Sequence, residues 1–545
     1  MFREAKQQAT LQPDCLTEAT ENIYCEYYAH IRACTEPESP RTRRRILEGS
    51  ELLKPKYLKD TRSICPECHA VLPARLSERD GQVIMTKSCP AHGDYEDVYW
   101  SDIEEWNRAT RYSVLGDGLE NPRTETGQGC PYDCGICPNH KSHTILAIID
   151  VTNRCNLKCP ICFANAAAAG YVYEPSFDEI CGMIDNLVAN KPVSVKALQL
   201  SGGEPTLRDD LPEIVKYAHI AGIPHVEVNT NGVRTANDRQ FVKRLCEAGV
   251  SSFYLQFDGV NSEPYKVTRG LDLLPLKLKS LDNFRAEGHD SVVLVVTLVR
   301  GVNDNKLGEI INFAARNHDI VRCVNVQPVS ITGRIDRNKL ADYRITIPDF
   351  MRLVEEQTNG QITRGDFYPV PAVVPFARAV GALKGQNYPE FTMHEHCGMA
   401  TFVFVEDGKV TPITRYANVD AFMNSMNDAY TLASTGKRMR ARLKMLESFK
   451  HLDPRIVGPL VKDVFREGSY TALGGLMHRV IMIGAMHFMD PYNFDLERVE
   501  RCGIHYAVLD GRIIPFCTMN TLHREKIERQ FSKIAQVQTI KARQA

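Results

Sequence analysis

Eight of the chain's 18 cysteines fall in three tight groups: Cys65 and Cys68; Cys130, Cys134 and Cys137; Cys155, Cys159 and Cys162. A disulfide framework has no need of such groups, whereas iron–sulfur and zinc ligation produce them. Whatever fold the chain adopts must therefore gather thiols at several metal centres. The remaining composition suits a globular protein: 545 residues, 43% hydrophobic and 24% charged, with 66 basic against 67 acidic side chains for a net charge of −1. That balance supplies no field for nucleic acid, and no nucleic-acid partner is expected. No apolar run approaches the roughly 18–20 residues of a membrane span; Ser291–Val299 is of strand length. Met1–Gln8 lacks the apolar core of a signal peptide, so a cytoplasmic location is expected.

The chain reads as five segments. Residues 1–60 form a helix-leaning leader containing Arg43-Arg44-Arg45, either a solvated helix face or an attachment surface for anionic lipid head groups. Residues 61–105 form a small β-rich metal knuckle with a hairpin turn at Glu78–Gly81, and 106–143 carry the second cysteine group. Over 144–335, apolar runs at 144–152, 195–201, 224–229, 251–257, 291–299 and 321–328 alternate with helical stretches. This α/β pattern predicts a parallel sheet buried on both faces, closed into a partial or full TIM-like (βα) barrel with its chemistry at the C-terminal strand ends. Residues 336–545 are less regular, with hairpins over Thr401–Thr414 and Ile504–Cys517 and a basic tail from about residue 521.

The third cysteine group names the chemistry. Cys155-x3-Cys159-x2-Cys162 follows the first of these strands, and three thiolates hold three irons of a [4Fe–4S] cube. The fourth iron then either takes a cysteine from elsewhere or stays open to a small chelating molecule. At the next strand end stands Gly202-Gly203-Glu204-Pro205, whose exposed backbone and acid are suited to receive a ligand ammonium group beside an open iron. With these two motifs, residues 144–330 resemble the radical S-adenosylmethionine (SAM) superfamily. The resemblance implies that SAM chelates the open iron through its amino and carboxylate groups. An electron from the reduced cluster then releases methionine and a hydrogen-abstracting 5′-deoxyadenosyl radical. It also implies, more loosely, SAM contacts at Asn229, Asn231, Gln256, Asp258 and Gln327. The residue before the third cysteine, often aromatic in this superfamily, is here Ile161, so adenine stacking there is not expected.

Further metal sites are expected. Cys130, Cys134 and Cys137 repeat the x3, x2 spacing ahead of the barrel and are assigned to an auxiliary cluster with a distant fourth ligand, with a zinc knuckle as the alternative. If Asp510-Gly511 makes a two-residue hairpin turn, Cys517 lies opposite Ile504 and Cys502 is its diagonal neighbour, about 7 Å away at Cβ. That spacing suits two corners of one cluster, with Cys397 as third member; a disulfide or a pair of packed thiols is the alternative. Cys65, Cys68 and Cys89 fit a mononuclear tetrahedral site, either iron held by four cysteines or zinc completed by His92. An all-cysteine count would draw its missing ligands from Cys15, Cys25, Cys34, Cys181, Cys246 and Cys323.

A narrower resemblance rests on Cys65-Pro-Glu-Cys68, on Cys130-Pro-Tyr-Asp-Cys134-Gly-Ile-Cys137-Pro-Asn-His140, and on the tail segments from Tyr492 to Cys502 and from Arg512 to Cys517. Over about residues 60–525 these are similar to the archaeal tetraether lipid synthase, methylase-like group of radical SAM proteins. The resemblance implies three [4Fe–4S] clusters, one open and two auxiliary, with a rubredoxin-like iron. It implies sp3–sp3 carbon–carbon coupling of isoprenoid lipid tails, a lipid substrate met at the cytosolic membrane face, and a reductant such as a ferredoxin or flavodoxin. The alternative is a radical SAM methylase or other carbon–carbon bond-forming enzyme acting on a small molecule such as a pterin. A non-catalytic electron-transfer or zinc-ribbon protein would have no use for the Gly-Gly-Glu turn.

Overall fold

A computed structural model of the chain describes residues 55–406, 408–454 and 480–532. The Arg43-Arg44-Arg45 cluster, Cys15, Cys25, Cys34 and the tail beyond 532 lie outside the described residues.

Four strands, β1 (Lys56–Ile64), β2 (Val71–Arg79), β3 (Gln82–Cys89) and β4 (Gly93–Trp100), make an antiparallel sheet in chain order. Residues 56–60, expected in the helical leader, are the start of β1, because pairing with β2 from Lys56 opposite Glu78 outweighs local helix preference. The β2–β3 turn is Asp80-Gly81 with φ of 53° and 76°, the double positive φ that a two-residue hairpin requires.

The second sheet is built on β5 (Leu146–Thr152), β6 (Ala197–Gly202), β7 (His225–Thr230), β8 (Ser252–Gln256), β9 (Val292–Leu298) and β10 (Val321–Pro328), each parallel to the next. Crossover helices Phe177–Val188, Leu211–Ile220, Arg239–Glu247, Leu274–Ala286 and Leu307–Arg316 connect them. The helices bury one apolar stripe each, as Phe241, Val242 and Leu245 do. Their starts are capped locally, with a Ser176/Glu179 capping box on the first and Asp238 accepting from Phe241 N on the third. Strands such as Val292–Leu298 are buried almost throughout, which continuous Val/Ile/Leu runs predict.

Sequentially distant strands extend both edges. Beyond β10 come β14 (Val480–Met486), β12 (Gly398–Glu406) and β11 (Tyr368–Pro369), with β13 (Lys409–Pro412) paired to β12. Beyond β5 come β15 (Ile504–Ala507) and β16 (Ile513–Pro515). The strand order does not return on itself among the described residues, so the sheet is an open partial barrel, and the closed barrel is not formed. The C-terminal region therefore completes the sheet at both edges.

Two expectations for that region change. The β15–β16 hairpin pairs Ala507 with Ile513 and His505 with Pro515, one residue out of the expected register. Five residues rather than two make the loop, closed by Val508 N donating to the Arg512 carbonyl, and Cys517 lies in a short helical turn, Phe516–Thr518. The tail also turns inward at its start: Arg524 is buried and pairs with Asp150 of β5 and with Glu528. Of the cations in this part of the tail only Lys526 and Arg529 stay exposed, Arg529 paired with Glu525, which falls short of the basic surface expected to meet a membrane. No helix among the described residues is long and apolar enough to cross one.

Candidate radical and metal centres

The cysteine loop leaves β5 at Thr152 and is held from three sides. Asn153 donates through Nδ2 to the Tyr171 carbonyl and accepts from Tyr173 N at 3.0 Å. Cys162 and Arg334 exchange backbone hydrogen bonds of 3.0 and 2.8 Å, and Arg334 Nε donates to the Cys159 carbonyl at 2.7 Å. Cys155 Sγ accepts from Leu157 N. All three thiols stay partly exposed at the strand ends. Burial pushes the Cys155 thiol up to about 12 and that of Cys159 upward, so each awaits a cation to become a thiolate.

Gly202 and Gly203 let the next strand end press against this loop. A Cβ on Gly202, whose φ is +124°, would stand 2.1 Å from the Thr152 carbonyl oxygen, and one on Gly203 would stand 2.2 Å from that of Arg154. The approach is sealed by Gly203 N donating to the Thr152 carbonyl at 2.7 Å and Glu204 N to that of Arg154 at 2.9 Å. Glu204 itself departs from expectation. Its side chain is buried, with Oε1 accepting from Thr206 and from Thr230 Oγ1 (2.8 Å) and Oε2 from Asn231 N (2.7 Å). The carboxyl group thus ties the end of β6 to Thr230 and Asn231 at the end of β7.

The remaining expected residues fall on successive strand ends. Asn229 donates to Ser201 Oγ, Asn231 donates through Nδ2 to Asn156 Oδ1 at 2.7 Å and contacts Cys155 Sγ at 3.9 Å, and Gln327 pairs with Thr297 in β9. Gln256 Oε1 accepts from Lys277 Nζ at 2.8 Å while its buried Nε2 has no partner, a donor left over for a bound group. Asp258 is fully buried, accepting from Arg269 Nε (2.7 Å), Thr268 Oγ1 (2.7 Å) and Thr297 N (3.1 Å). Burial opposes its charge, and the Arg269 guanidinium more than offsets this, holding the carboxyl below its ordinary range.

Three residues of this site escaped the sequence reading: Arg269, Lys277 and Arg334. Arg269 joins Asp258 to the Ile161 carbonyl in the cysteine loop. Lys277 is fully buried on the helix Leu274–Ala286, also donates to the Asn231 carbonyl, and is lowered by burial to about 7. A signal existed for Lys277: it shares a helical stripe with the buried Ser280, Leu281 and Phe284, where a cation has no business unless it is held.

Outside the barrel, Cys65, Cys68, Cys89 and His92 converge, with ligand atoms within 4.8 Å of one another. Cys68 Sγ lies 3.9 Å from Cys89 Sγ, and His92 Nδ1 lies 3.6 Å from Cys65 Sγ and 3.5 Å from Cys89 Sγ. A tetrahedron with metal–sulfur bonds of about 2.3 Å and a metal–nitrogen bond of about 2.0–2.1 Å has edges near these lengths. The structure brings His92 to the fourth corner, so the three-cysteine, one-histidine arrangement that fits zinc is the one assembled here. Contact with Cys134 pushes the Cys130 thiol far up, and Asp133 folds their turn by accepting from Gly127 N and Gly129 N. Cys397, Cys502 and Cys517 line a single cavity despite the shifted hairpin register. Cys181 and Cys246 lie on two crossover helices and Cys323 in the interior of β10.

Residues 149–314 match the Radical SAM superfamily, and residues 57–101 match the HMPTM N-terminal zinc ribbon domain. The chain is 50% identical over 487 residues to the 7,8-dihydro-6-hydroxymethylpterin dimethyltransferase of Methanocaldococcus jannaschii, covering 87% of this chain and 96% of that protein. It is 32% identical over 186 residues to the GTP 3′,8-cyclase of Limosilactobacillus fermentum, covering 33% of this chain and 54% of that one. Among solved structures, SuiB of Streptococcus suis aligns with a TM-score of 0.33 at 19% identity, covering 41% of this chain and 47% of its own. A relative matched along almost its full length and named for a pterin overturns the expectation of lipid-tail coupling, and with it the lipid substrate and the membrane surface as partner. The motifs behind that expectation are cysteine spacings, and metal-ligand spacing carries no information about the walls that select a substrate.

Proposed function

The chain belongs to the radical SAM superfamily, in the family of the Methanocaldococcus jannaschii pterin dimethyltransferase, and from that premise we propose that it methylates a dihydropterin of the 6-hydroxymethyl class. The observation that carries this reading is the 50% identity extending over 87% of this chain and 96% of that relative.

The site residues support a division of labour. Cys155, Cys159 and Cys162 would hold a [4Fe–4S] cluster, with the backbone of Gly202 and Gly203 beside its open iron. With SAM bound, that group supplies a carbon radical strong enough to abstract hydrogen from an unactivated C–H bond. Asn229, Asn231 and the idle Gln256 Nε2 offer polar contacts at the strand ends, where Gln327 also stands. Lys277 positions two of them by donating to the Asn231 carbonyl and to Gln256 Oε1. Asp258 and Arg269 act on the loop rather than on a ligand, since their charges satisfy each other in the interior. Cys130, Cys134 and Cys137, and Cys397, Cys502 and Cys517, are read as ligands of two auxiliary clusters, and a reduced ferredoxin or flavodoxin as the electron source.

The test is incubation of the anaerobically reconstituted, reduced full chain with SAM, 7,8-dihydro-6-hydroxymethylpterin and a one-carbon donor, followed by mass spectrometry. The donor is supplied in separate arms as excess SAM or as a reduced one-carbon carrier, because SAM cleaved to methionine transfers no methyl group. The expected products are 5′-deoxyadenosine and pterin carrying one and two added methyl groups. Formation of 5′-deoxyadenosine with unaltered pterin sinks the substrate assignment. Absence of 5′-deoxyadenosine sinks the radical reading itself.

A further inference from the structure

Cys397 precedes β12, Cys502 follows the short helix Leu496–Glu500, and Cys517 follows β16, yet all three line one otherwise apolar cavity beside Met486, Phe488 and Phe516. His487, the residue after β14, lines the same cavity. Its backbone is clamped there: His487 N donates to the Cys397 carbonyl at 3.0 Å, and its own carbonyl accepts from Arg498 Nη2 at 2.7 Å. The side chain is only 2% exposed, and neither Nδ1 nor Nε2 has a hydrogen-bond partner. An imidazole removed from water with both nitrogens idle is costly, and buried polar groups of native proteins find a partner. Arg498 adds a second observation. It is buried, and its Nε donates to Cys397 Sγ at 3.3 Å, so a fixed cation faces the sulfur. Neutral packed thiols or a disulfide would leave that cation without the anionic charge it is placed to meet. Among the described residues these four do not close to within 4.8 Å as the Cys65–His92 set does, a spread that suits several irons better than one ion.

We propose that Cys397, Cys502, Cys517 and His487 hold an iron–sulfur cluster, with the imidazole as its fourth ligand and Arg498 as the neighbouring counter-charge. The inference rests on reading this chain as an iron–sulfur enzyme. An imidazole in place of a fourth thiolate removes one negative charge from the cluster and raises its reduction potential, as histidine ligation does elsewhere. The cluster would then accept electrons more readily than an all-cysteine one.

Pulsed EPR on the reduced, reconstituted full chain tests the proposal, in the absence of SAM so that no ligand amine contributes nitrogen. The expected result is a strong 14N coupling that converts to 15N on labelling with 15N-histidine. In His487→Cys the coupling disappears, iron content is retained, and the midpoint potential of one cluster falls. Cys502→Ser/Cys517→Ser should lower iron and sulfide by one cluster. Absence of the coupling in the parent protein, or its persistence in His487→Cys, overturns the histidine ligand; unchanged iron in the double variant overturns the cluster. A change in the EPR signal on adding SAM is read separately. Its absence condemns the radical SAM reading, and its presence alongside a failed His487 arm condemns this inference alone.

Discussion

Arg269 grips Asp258 through Nε at 2.7 Å and Nη2 at 3.1 Å, and the same guanidinium reaches the Ile161 carbonyl at 3.4 Å in the loop that carries the cysteines. A buried ion pair here serves as the joint between β8 and the cluster loop. Replacing Arg269 with Ala leaves the Asp258 carboxylate buried and alone, which costs about 3–5 kcal/mol. Urea unfolding of Arg269→Ala should show a loss of that order, together with lower iron retention after desalting. Pairing it with Asp258→Asn should recover much of the stability without restoring SAM cleavage, and unchanged iron retention in the single variant would contradict the joint.

The two glycines make a steric prediction. A methyl group at Gly203 meets backbone at 2.2 Å, and backbone has nowhere to go without moving the Cys155 loop. Gly203→Ala is expected to cost about 1–3 kcal/mol, the usual range for forcing atoms into a packed interior. The iron–sulfur absorbance should fall while far-ultraviolet circular dichroism stays near that of the parent. A variant with full absorbance would show that the close approach is not required.

Lys277 predicts a pH dependence. Burial lowers the folded-state value to about 7 against 10.5 for an ordinary lysine. Between those values the unfolded chain holds a proton that the folded chain has shed, so stability rises with pH through this window. Below about 7 both states are charged and the burial penalty is felt in full. Chemical denaturation at several pH values in the window should show the upward slope, and Lys277→Met should reduce it. The same variant should weaken SAM binding, because the Asn231 carbonyl and Gln256 Oε1 lose their shared donor.

The knuckle predicts a metal and its dependence on acid. One zinc per chain should be found by elemental analysis, falling in His92→Ala and retained in His92→Cys, where a thiolate replaces the imidazole. His92 lowers the Cys89 thiol to about 6 even without metal, so protons compete weakly with zinc at neutral pH and zinc should be released only on acidification below that value. Iron in place of zinc in protein purified without metal supplementation would reverse the assignment.

The barrel strands were legible because their signal is local. The runs expected at 144–152, 195–201 and 321–328 correspond to strands at 146–152, 197–202 and 321–328, since buried apolar residues such as Ile148 and Ile149, Leu198 and Leu200, and Val324 and Val326 recur in each. The Gly-Gly turn was legible for the same reason: only glycine tolerates φ of +124° with a carbonyl 2.1 Å from where its Cβ would stand. The direction in which Glu204 points was not legible, because the pattern shows an acid beside the site while Thr206, Thr230 and Asn231 decide its orientation. The hairpin register slipped because an Asp-Gly pair marks a turn without setting how many residues the loop consumes.

By itself, then, the sequence determined that this chain carries cysteines at metal-ligand spacing, that one cysteine triplet stands at a strand end beside a glycine pair, and that the sheet between is parallel. These are properties of spacing and of apolar runs, written within a few dozen residues. The tertiary structure alone decided what depends on distant parts of the chain. It placed β15 against β5 and β14 against β10, so that the barrel stays open and its edges belong to the C-terminal region. It brought His92 to Cys65, Cys68 and Cys89, turned Arg524 inward onto Asp150, and set His487 among three thiols drawn from separate elements. Such partners are fixed by packing and by the cost of leaving buried polar groups unpaired, quantities that no stretch of sequence carries in isolation.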